Sequence, residues 1–259
     1  MTKRRYKHVY GPVFSWRLGR SLGIDPVYTG RGKVCPFDCV YCQAGRTRVL
    51  TGKRKVFVPT DEILEEVKSL PPVKIDYITF SGAGEPTLAE NLGEIIKKVR
   101  KIRKAKIAVL TNSALLGVAG VRSDLLLADF VAVKLDAHSD GIFHKINAPE
   151  KQLKLKNIIK WIRKFKARYK GKFALQIMFT ARNKKYAREL AKIARSIGPD
   201  EVHINTPRRP CRVKALPKKE IEKINGFFKD MNVKCVYDAK RKKTKSLKIS
   251  GALRRKGSI

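Results

Sequence analysis

Cys35, Cys39 and Cys42 stand in the segment VCPFDCVYC with three and then two residues between them. Three thiolates at this spacing can wrap one iron–sulfur cubane and leave its fourth iron without a protein ligand. A structural zinc would want a fourth protein ligand, and the nearest histidine along the chain, His8, is remote in sequence. With five cysteines in the chain and three of them in this one segment, incidental thiols are the poorest reading. A second segment, SGAGEPTL (residues 81–88), brings Gly82 and Gly84, which let backbone approach a ligand, and Glu85, whose carboxylate can accept hydrogen bonds from an ammonium. Asn112, Ser113, Lys134 and Asp136 follow or end later apolar runs, where a ligand would meet them, whereas Thr111 and Gln176 read as caps or core polar residues with local partners.

These residues converge only if a fold gathers them. The stretch YGPVFSWRLGRSLGIDPVY, broken by Gly and Pro, predicts an extended, bent lead-in to a first strand around residues 21–27. Apolar runs then predict strands at 76–80, 106–110, 130–136, 173–179 and 201–205. Helical spacing predicts helices at 61–70, with Thr60 or Asp61 as N-cap, at 92–103, at 123–128, and through Leu155–Phe165, Tyr186–Ile197 and Ile221–Met231. Six β/α units with parallel crossovers specify an α/β fold built on a twisted or barrel-like parallel sheet, with its chemistry at the carboxyl ends of the strands.

CPFDCVYC resembles the CxxxCxxC signature of the radical S-adenosylmethionine (SAM) superfamily, down to the aromatic residue before the last cysteine. SGAGEPTL, one β/α unit later, resembles that superfamily's GGEP element. The resemblance implies a partial parallel (β/α)6 barrel and a [4Fe–4S] cluster on Cys35, Cys39 and Cys42. It implies that SAM chelates the open iron and is cleaved reductively to methionine and a 5′-deoxyadenosyl radical, which requires an electron donor. Tyr41 would pack near the adenine, Gly82, Gly84 and Glu85 would hold the SAM amino group, and Asn112, Ser113, Lys134 and Asp136 would meet its ribose and carboxylate. The stretch from Tyr10 to Thr47, with SGAGEPTL and VKLDAHSDGIFHKINAP, is similar to the group containing the tRNA wyosine synthases and their single-cluster relatives. Wyosine synthases carry three further cysteines upstream, and no Cys precedes Cys35 here. By similarity to radical SAM RNA methyltransferases, which use a methyl-carrying Cys, Cys211 in NTPRRPCR is the candidate for such a role.

Charge sets the partner. Against 22 Asp+Glu stand 59 Lys+Arg, a formal net charge of +37. A heat-adapted surface would fit the scarcity of Gln (Gln43, Gln152, Gln176), but thermophilic enrichment raises both signs and leaves the imbalance unexplained. A polyanion is the expected partner, RNA and in particular tRNA. Arg208, Arg209, Arg212 and Lys214, after the last predicted barrel strand, are the expected phosphate contacts, whereas Lys156, Lys160, Arg163, Lys164, Lys166 and Arg168 read as a solvated helix face. No apolar run of about 18 residues is present to span a membrane, and the N-terminus has no apolar leader, which predicts a cytoplasmic enzyme. The expected division is a basic arm and lead-in over 1–20, a radical SAM core over 21–235 and a basic extension over 236–259. A glycyl-radical activase acting on a protein is the competing enzyme reading, and a non-catalytic RNA-binding protein with a structural metal is the competing reading outside enzymes. The positive surplus argues against the first, and the strand-end polar residues against the second.

Overall fold

The computed structural model describes residues 6–238. The basic residues Lys3, Arg4 and Arg5 and the extension from Lys240 onward lie outside the described residues. The bent lead-in is itself a strand: β1 (Val9–Ser15) turns back and pairs antiparallel with β2 (Gly19–Ile24). Its register shifts between Tyr10 and Val13, where Gly11 adopts a φ of 99° that a residue with a side chain rarely takes. Two short strands, β3 (Lys33–Cys35) and β4 (Thr47–Leu50), form a separate parallel pair around the cysteine loop.

The α/β alternation follows: α1 (Thr60–Lys68), β5 (Tyr77–Phe80), α2 (Leu92–Ile102), β6 (Lys106–Thr111), α3 (Ala119–Leu125), β7 (Phe130–Lys134), α4 (Asp140–Asn147), α5 (Leu155–Arg168), β8 (Lys172–Met178), α6 (Ala187–Ile197), β9 (Glu201–Asn205), α7 (Lys218–Asn225) and β10 (Val233–Cys235). The sheet order is β1-β2-β5-β6-β7-β8-β9-β10, with every pair parallel except β1–β2. The six units expected from the sequence are β2 and β5–β9. The result is a curled, parallel-dominated half-barrel.

Several boundaries differ from expectation for physical reasons. Helix α3 starts and ends earlier than 123–128, because Val121 and Leu125, one turn apart, are the buried pair while Leu126 is 48% exposed. Helix α7 stops at Asn225 before Gly226, a poor helix former, and the chain then supplies β10 beside β9. At the start of α1 the N-cap is Pro59, and Thr60 instead donates from its hydroxyl to Glu94 of α2 at 2.9 Å. Helix α4 was not expected at all.

Strand residues alternate between two cores. On the outer face, Ile78, Phe80, Ile107, Val109, Val131, Val133, Leu175, Ile177, Val202 and Ile204 are fully buried beneath helices. Each such side chain contributes about 1.5–3 kcal/mol. On the inner face Ala108, Phe130, Ala132 and Ala174 make a smaller cluster, joined by Leu18 from the β1–β2 turn. No helix among the described residues is long and apolar enough to cross a membrane.

One polar cluster ties three strands together. Glu201 on β9 accepts from His203 Nε2 at 2.8 Å and pairs with Lys172 of β8 and with Lys234 of β10. Burial pushes its carboxyl up, but those three donors outweigh burial and hold it down at about 2. Burial also pulls the His203 imidazole down, so at neutral pH it donates as a neutral ring. A carboxyl lowered from 4.5 to about 2 contributes stability that is complete above 4.5 and lost as pH falls through 2. Glu201→Gln should therefore destabilise the fold by about 3 kcal/mol near pH 7. Urea unfolding of parent and mutant should show that gap closing between pH 4.5 and 2; a gap independent of pH would mean the carboxylate charge is not what stabilises these strands.

Candidate active site

The cysteine loop, residues 36–46, has almost no regular structure, so its backbone must find partners elsewhere. It finds them chiefly in the end of α4. Asp38 N and Val40 N donate to Ala148 O and Ile146 O at 3.1 and 2.9 Å, and Glu150 N donates to Pro36 O at 2.9 Å. Within the loop Cys42 N donates to Cys39 O at 3.0 Å, and Thr47 N closes onto Asp38 Oδ1 at 2.8 Å. Arg212 then clamps the loop from outside, reaching Asp38 Oδ2 at 3.0 Å, Asp38 O at 2.9 Å and Cys39 O at 2.8 Å. The helix that sequence reasoning missed is the one that holds the thiols.

Each thiol receives a nitrogen donor. Lys33 Nζ lies 3.1 Å from Cys42 Sγ, Asn112 Nδ2 lies 3.3 Å from Cys35 Sγ, and Asn147 Nδ2 lies 3.4 Å from Cys39 Sγ. Burial pushes the Cys35 and Cys39 thiols up, so they remain protonated at neutral pH unless iron takes them. Burial works against the Lys33 ammonium, yet the Cys42 and Cys35 sulfurs outweigh it and raise its pKa. This donor set fits an anionic cluster: three sulfurs, each with a polar N–H, and one buried cation. Among the described residues no three His, Cys, Asp or Glu side chains are close enough to hold a single metal ion.

The 81–88 segment lies against β3. Glu85 N donates to Val34 O at 3.2 Å, and a Cβ on Gly84 would sit 2.2 Å from that same carbonyl. A Cβ on Gly82 would fall 2.1 Å from the carboxylate of Asp25, which accepts from Ala83 N at 2.7 Å. Protein neighbours thus already account for both glycines. Glu85 is buried, and its carboxylate accepts from Thr87 N, Thr87 Oγ1 and Thr111 Oγ1 at 3.1, 2.7 and 2.7 Å and from Asn112 N at 2.7 Å. It is the joint that sets Asn112, which in turn reaches Cys35. Thr111 is a buried polar residue whose hydroxyl also accepts from the nearby Ser113 N at 3.1 Å.

The other expected residues gather at the ends of β6 and β7. Ser113, at φ 73°, accepts from Lys134 N and donates to Lys134 O, both at 3.0 Å, which locks the two strand ends together. Lys134 Nζ sits 4.2 Å from the Tyr41 ring centroid and 3.7 Å from Asp136 Oδ2. Tyr41 is buried and donates its hydroxyl to Asp136, and Asn147 Nδ2 donates to both, at 3.0 and 2.9 Å. Asp136 Oδ1 accepts from Met178 N at 2.7 Å. Cys35, Cys39, Cys42, Tyr41, Glu85, Asn112, Ser113, Lys134 and Asp136 are thus linked in one network.

The basic residues divide. Arg212 belongs to the cysteine loop, Arg209 Nε donates to Gln43 at 2.9 Å, the Arg208 guanidinium lies 4.4 Å from the Tyr237 ring centroid, and Lys214 is exposed. Cys211 donates to Val213 O at 3.1 Å. Lys33, Asn147 and Asp25 were missed from the sequence. A lysine two residues before the first cysteine was the available signal for Lys33.

The radical SAM superfamily is the family whose model matches this chain, over residues 31–194. A UPF0026 protein of Synechocystis sp. is 40% identical over 254 residues, covering 95% of this chain and 93% of that protein. A UPF0026 protein of Methanocaldococcus jannaschii is 37% identical over 231 residues, covering 86% and 70%. Streptococcus suis SuiB, solved bound to S-adenosylmethionine, is similar with a TM-score of 0.58 at 14% identity, covering 79% of this chain. The match spans 50% of SuiB, and at that identity the likeness is one of fold.

The Arg212 clamp is charge-assisted, and each such bond contributes about 1.5–3 kcal/mol, or roughly 10- to 100-fold in local opening. Arg212→Ala should speed amide exchange at Val40 and Cys42 by that factor and leave β5–β8 protected. Unchanged exchange in the cysteine loop would show that α4 alone is enough to hold it.

Proposed function

The chain belongs to the radical SAM superfamily, and within it to the UPF0026 proteins, and from that premise we propose that Cys35, Cys39 and Cys42 hold the cluster of an enzyme that modifies a nucleotide in RNA, tRNA in particular. The protein is a radical SAM enzyme with a [4Fe–4S] cluster and SAM as cofactors. Held by Cys35, Cys39 and Cys42 and reduced by an electron donor, such a cluster would supply the electron for splitting SAM into methionine and a 5′-deoxyadenosyl radical.

The residues around it orient and insulate. Lys33, Asn112 and Asn147 donate to the three sulfurs, stabilise them as thiolates and so bear on the cluster's potential. Glu85 fixes Asn112 through its backbone N–H, and residues 81–85, with Gly82 and Gly84, form the wall along which the methionine end of SAM is proposed to lie. Asn112, Ser113, Lys134, Asp136 and Tyr41 are proposed to face the ribose, carboxylate and adenine. Cys211 is proposed as a methyl carrier by its place beside Arg212, whose side chain reaches the cysteine loop.

The observation that carries the RNA reading is the formal net charge of +37. A surplus of that size favours a polyanionic partner. It comes close to the cysteines: Arg208, Arg209 and Lys214 are exposed on the loop that Arg212 pins to residues 38–39, and Arg46 and Arg48 are exposed just past Cys42.

Protein reconstituted without oxygen should bind four irons, and Cys35→Ala, Cys39→Ala or Cys42→Ala should each abolish 5′-deoxyadenosine formation. Stoichiometric zinc in place of iron would overturn the cluster assignment. Replacing Arg208, Arg209 and Lys214 together by Gln should flatten the slope of log affinity for tRNA against log salt by about 0.7–0.9 per lost contact. Deoxyadenosine formation should rise with tRNA from a strain lacking the gene. If that tRNA neither binds nor changes SAM cleavage while a protein partner does both, the RNA reading falls and the activase reading replaces it.

A further inference from the structure

The β1–β2 turn reaches over the inner face of the half-barrel. Leu18 packs into the inner cluster, and Trp16 places its ring 5.4 Å from that of His203. Between them Arg17 donates from Nη1 to Gln176 Oε1 at 2.6 Å, across 159 positions of sequence. Gln176 pairs in register with Lys134, whose ammonium lies over Tyr41. Arg209, held on Gln43 beside Cys42, is near enough for its charge to act on Arg17.

Among the described residues Arg17 makes no ion pair and so has no counter-ion there. Its contacts are a neutral amide and the Trp16 ring, 4.9 Å from its guanidinium carbon, and its Nε is buried without a hydrogen-bond partner. Burial and then the charge of Arg209 pull the guanidinium down to about 10, which leaves it charged at neutral pH. The acids at hand are committed: Asp136 to Tyr41, Asn147, Met178 N and Lys134, and Glu201 to His203, Lys172 and Lys234. Arg17 is half-buried, and a cation partly withdrawn from water with no anion beside it carries a desolvation cost that a ligand anion would offset.

We propose that Arg17 receives an anionic oxygen group of the substrate on the inner face of the half-barrel, a phosphate of the target nucleotide, an identity that rests on the RNA reading. The site is distinct from the outer cations, which meet the rest of the nucleic acid, and from the sulfur-bound cofactors. Gln176 takes Nη1 and positions the guanidinium, and Nη2, which makes no hydrogen bond among the described residues, is left to the substrate.

The test uses cluster-loaded protein with saturating SAM, so that the adenosine subsite is filled, and titrates uridine 5′-monophosphate, uridine and succinate at low salt. The parent should bind the monophosphate at least about tenfold more tightly than uridine. Arg17→Gln should abolish that preference. Because Arg17→Gln disturbs a packed turn, Gln176→Glu serves as the second variant: it gives Arg17 an internal carboxylate, so it should raise the melting temperature and still lose the monophosphate preference. A merely structural Arg17 would not couple those two effects. The proposal is overturned if the parent shows no preference for the monophosphate or succinate over uridine, or if both variants keep the preference. Succinate bound through Arg17 with no preference for the monophosphate would keep the anion site and overturn the RNA reading.

Discussion

An irregular loop that carries two of the three thiols, Cys39 and Cys42, just past Cys35 at the end of β3, has to find hydrogen-bond partners for its own backbone, and that requirement organises the structure around residues 36–46. A helix would satisfy its peptides internally, but this loop is not helical and must pair with its neighbours. The solution is to borrow partners: α4 ends in Ala148, whose left-handed conformation at φ 41° turns the chain so that residues 146–150 run beside the loop. Arg212 closes the other side. The sheet positions α4 and the 208–214 loop, and those two position the cysteines.

Around that loop, polar side chains act through one another. Glu85 binds Asn112, Asn112 reaches Cys35, Asn147 joins Cys39 to Tyr41 and Asp136, and Asp136 returns to the backbone of β8. Such a network is rigid because every buried acceptor in it would be costly to leave unmatched. Glu85 shows the consequence. Its type and place in a Gly–Glu–Pro turn suggest an acceptor for an ammonium, and its carboxylate also accepts from Asn112 N at 2.7 Å, so that it sets the backbone of Asn112.

The sequence was most legible where both faces of an element are buried. The strand at 201–205 was read to the residue, and the central strands were found because outer residues such as Val131 and Val133 are fully covered. Short elements were not legible: β3, β4 and β10 have three or four residues and no usable period, and α4 has eight, with Gly141 in its first turn. The cysteines were legible by spacing alone. Lys33, Arg17 and Arg212 were not, because a basic residue in a sequence so rich in them reads as surface. Arg212 was expected to meet phosphate, and its partner Asp38 lies 174 positions away, which no local pattern encodes.

The positive charges therefore carry unequal information. On α5, Lys156, Lys160, Arg163, Lys164 and Arg168 are exposed, kept in water and screened beyond about 8–10 Å at ordinary salt. They raise the field that a polyanion meets on approach but select nothing about its structure. Charges withdrawn from water carry a desolvation cost that must be met by a specific neighbour. Lys33 meets it with sulfur and Lys134 with Asp136 and the Tyr41 ring. Among the described residues Arg17 has only an amide and an indole, which is why its partner is proposed to come from the substrate. The outward surplus bears on which class of molecule approaches, and this one inward residue bears on which part of that molecule is drawn into the half-barrel.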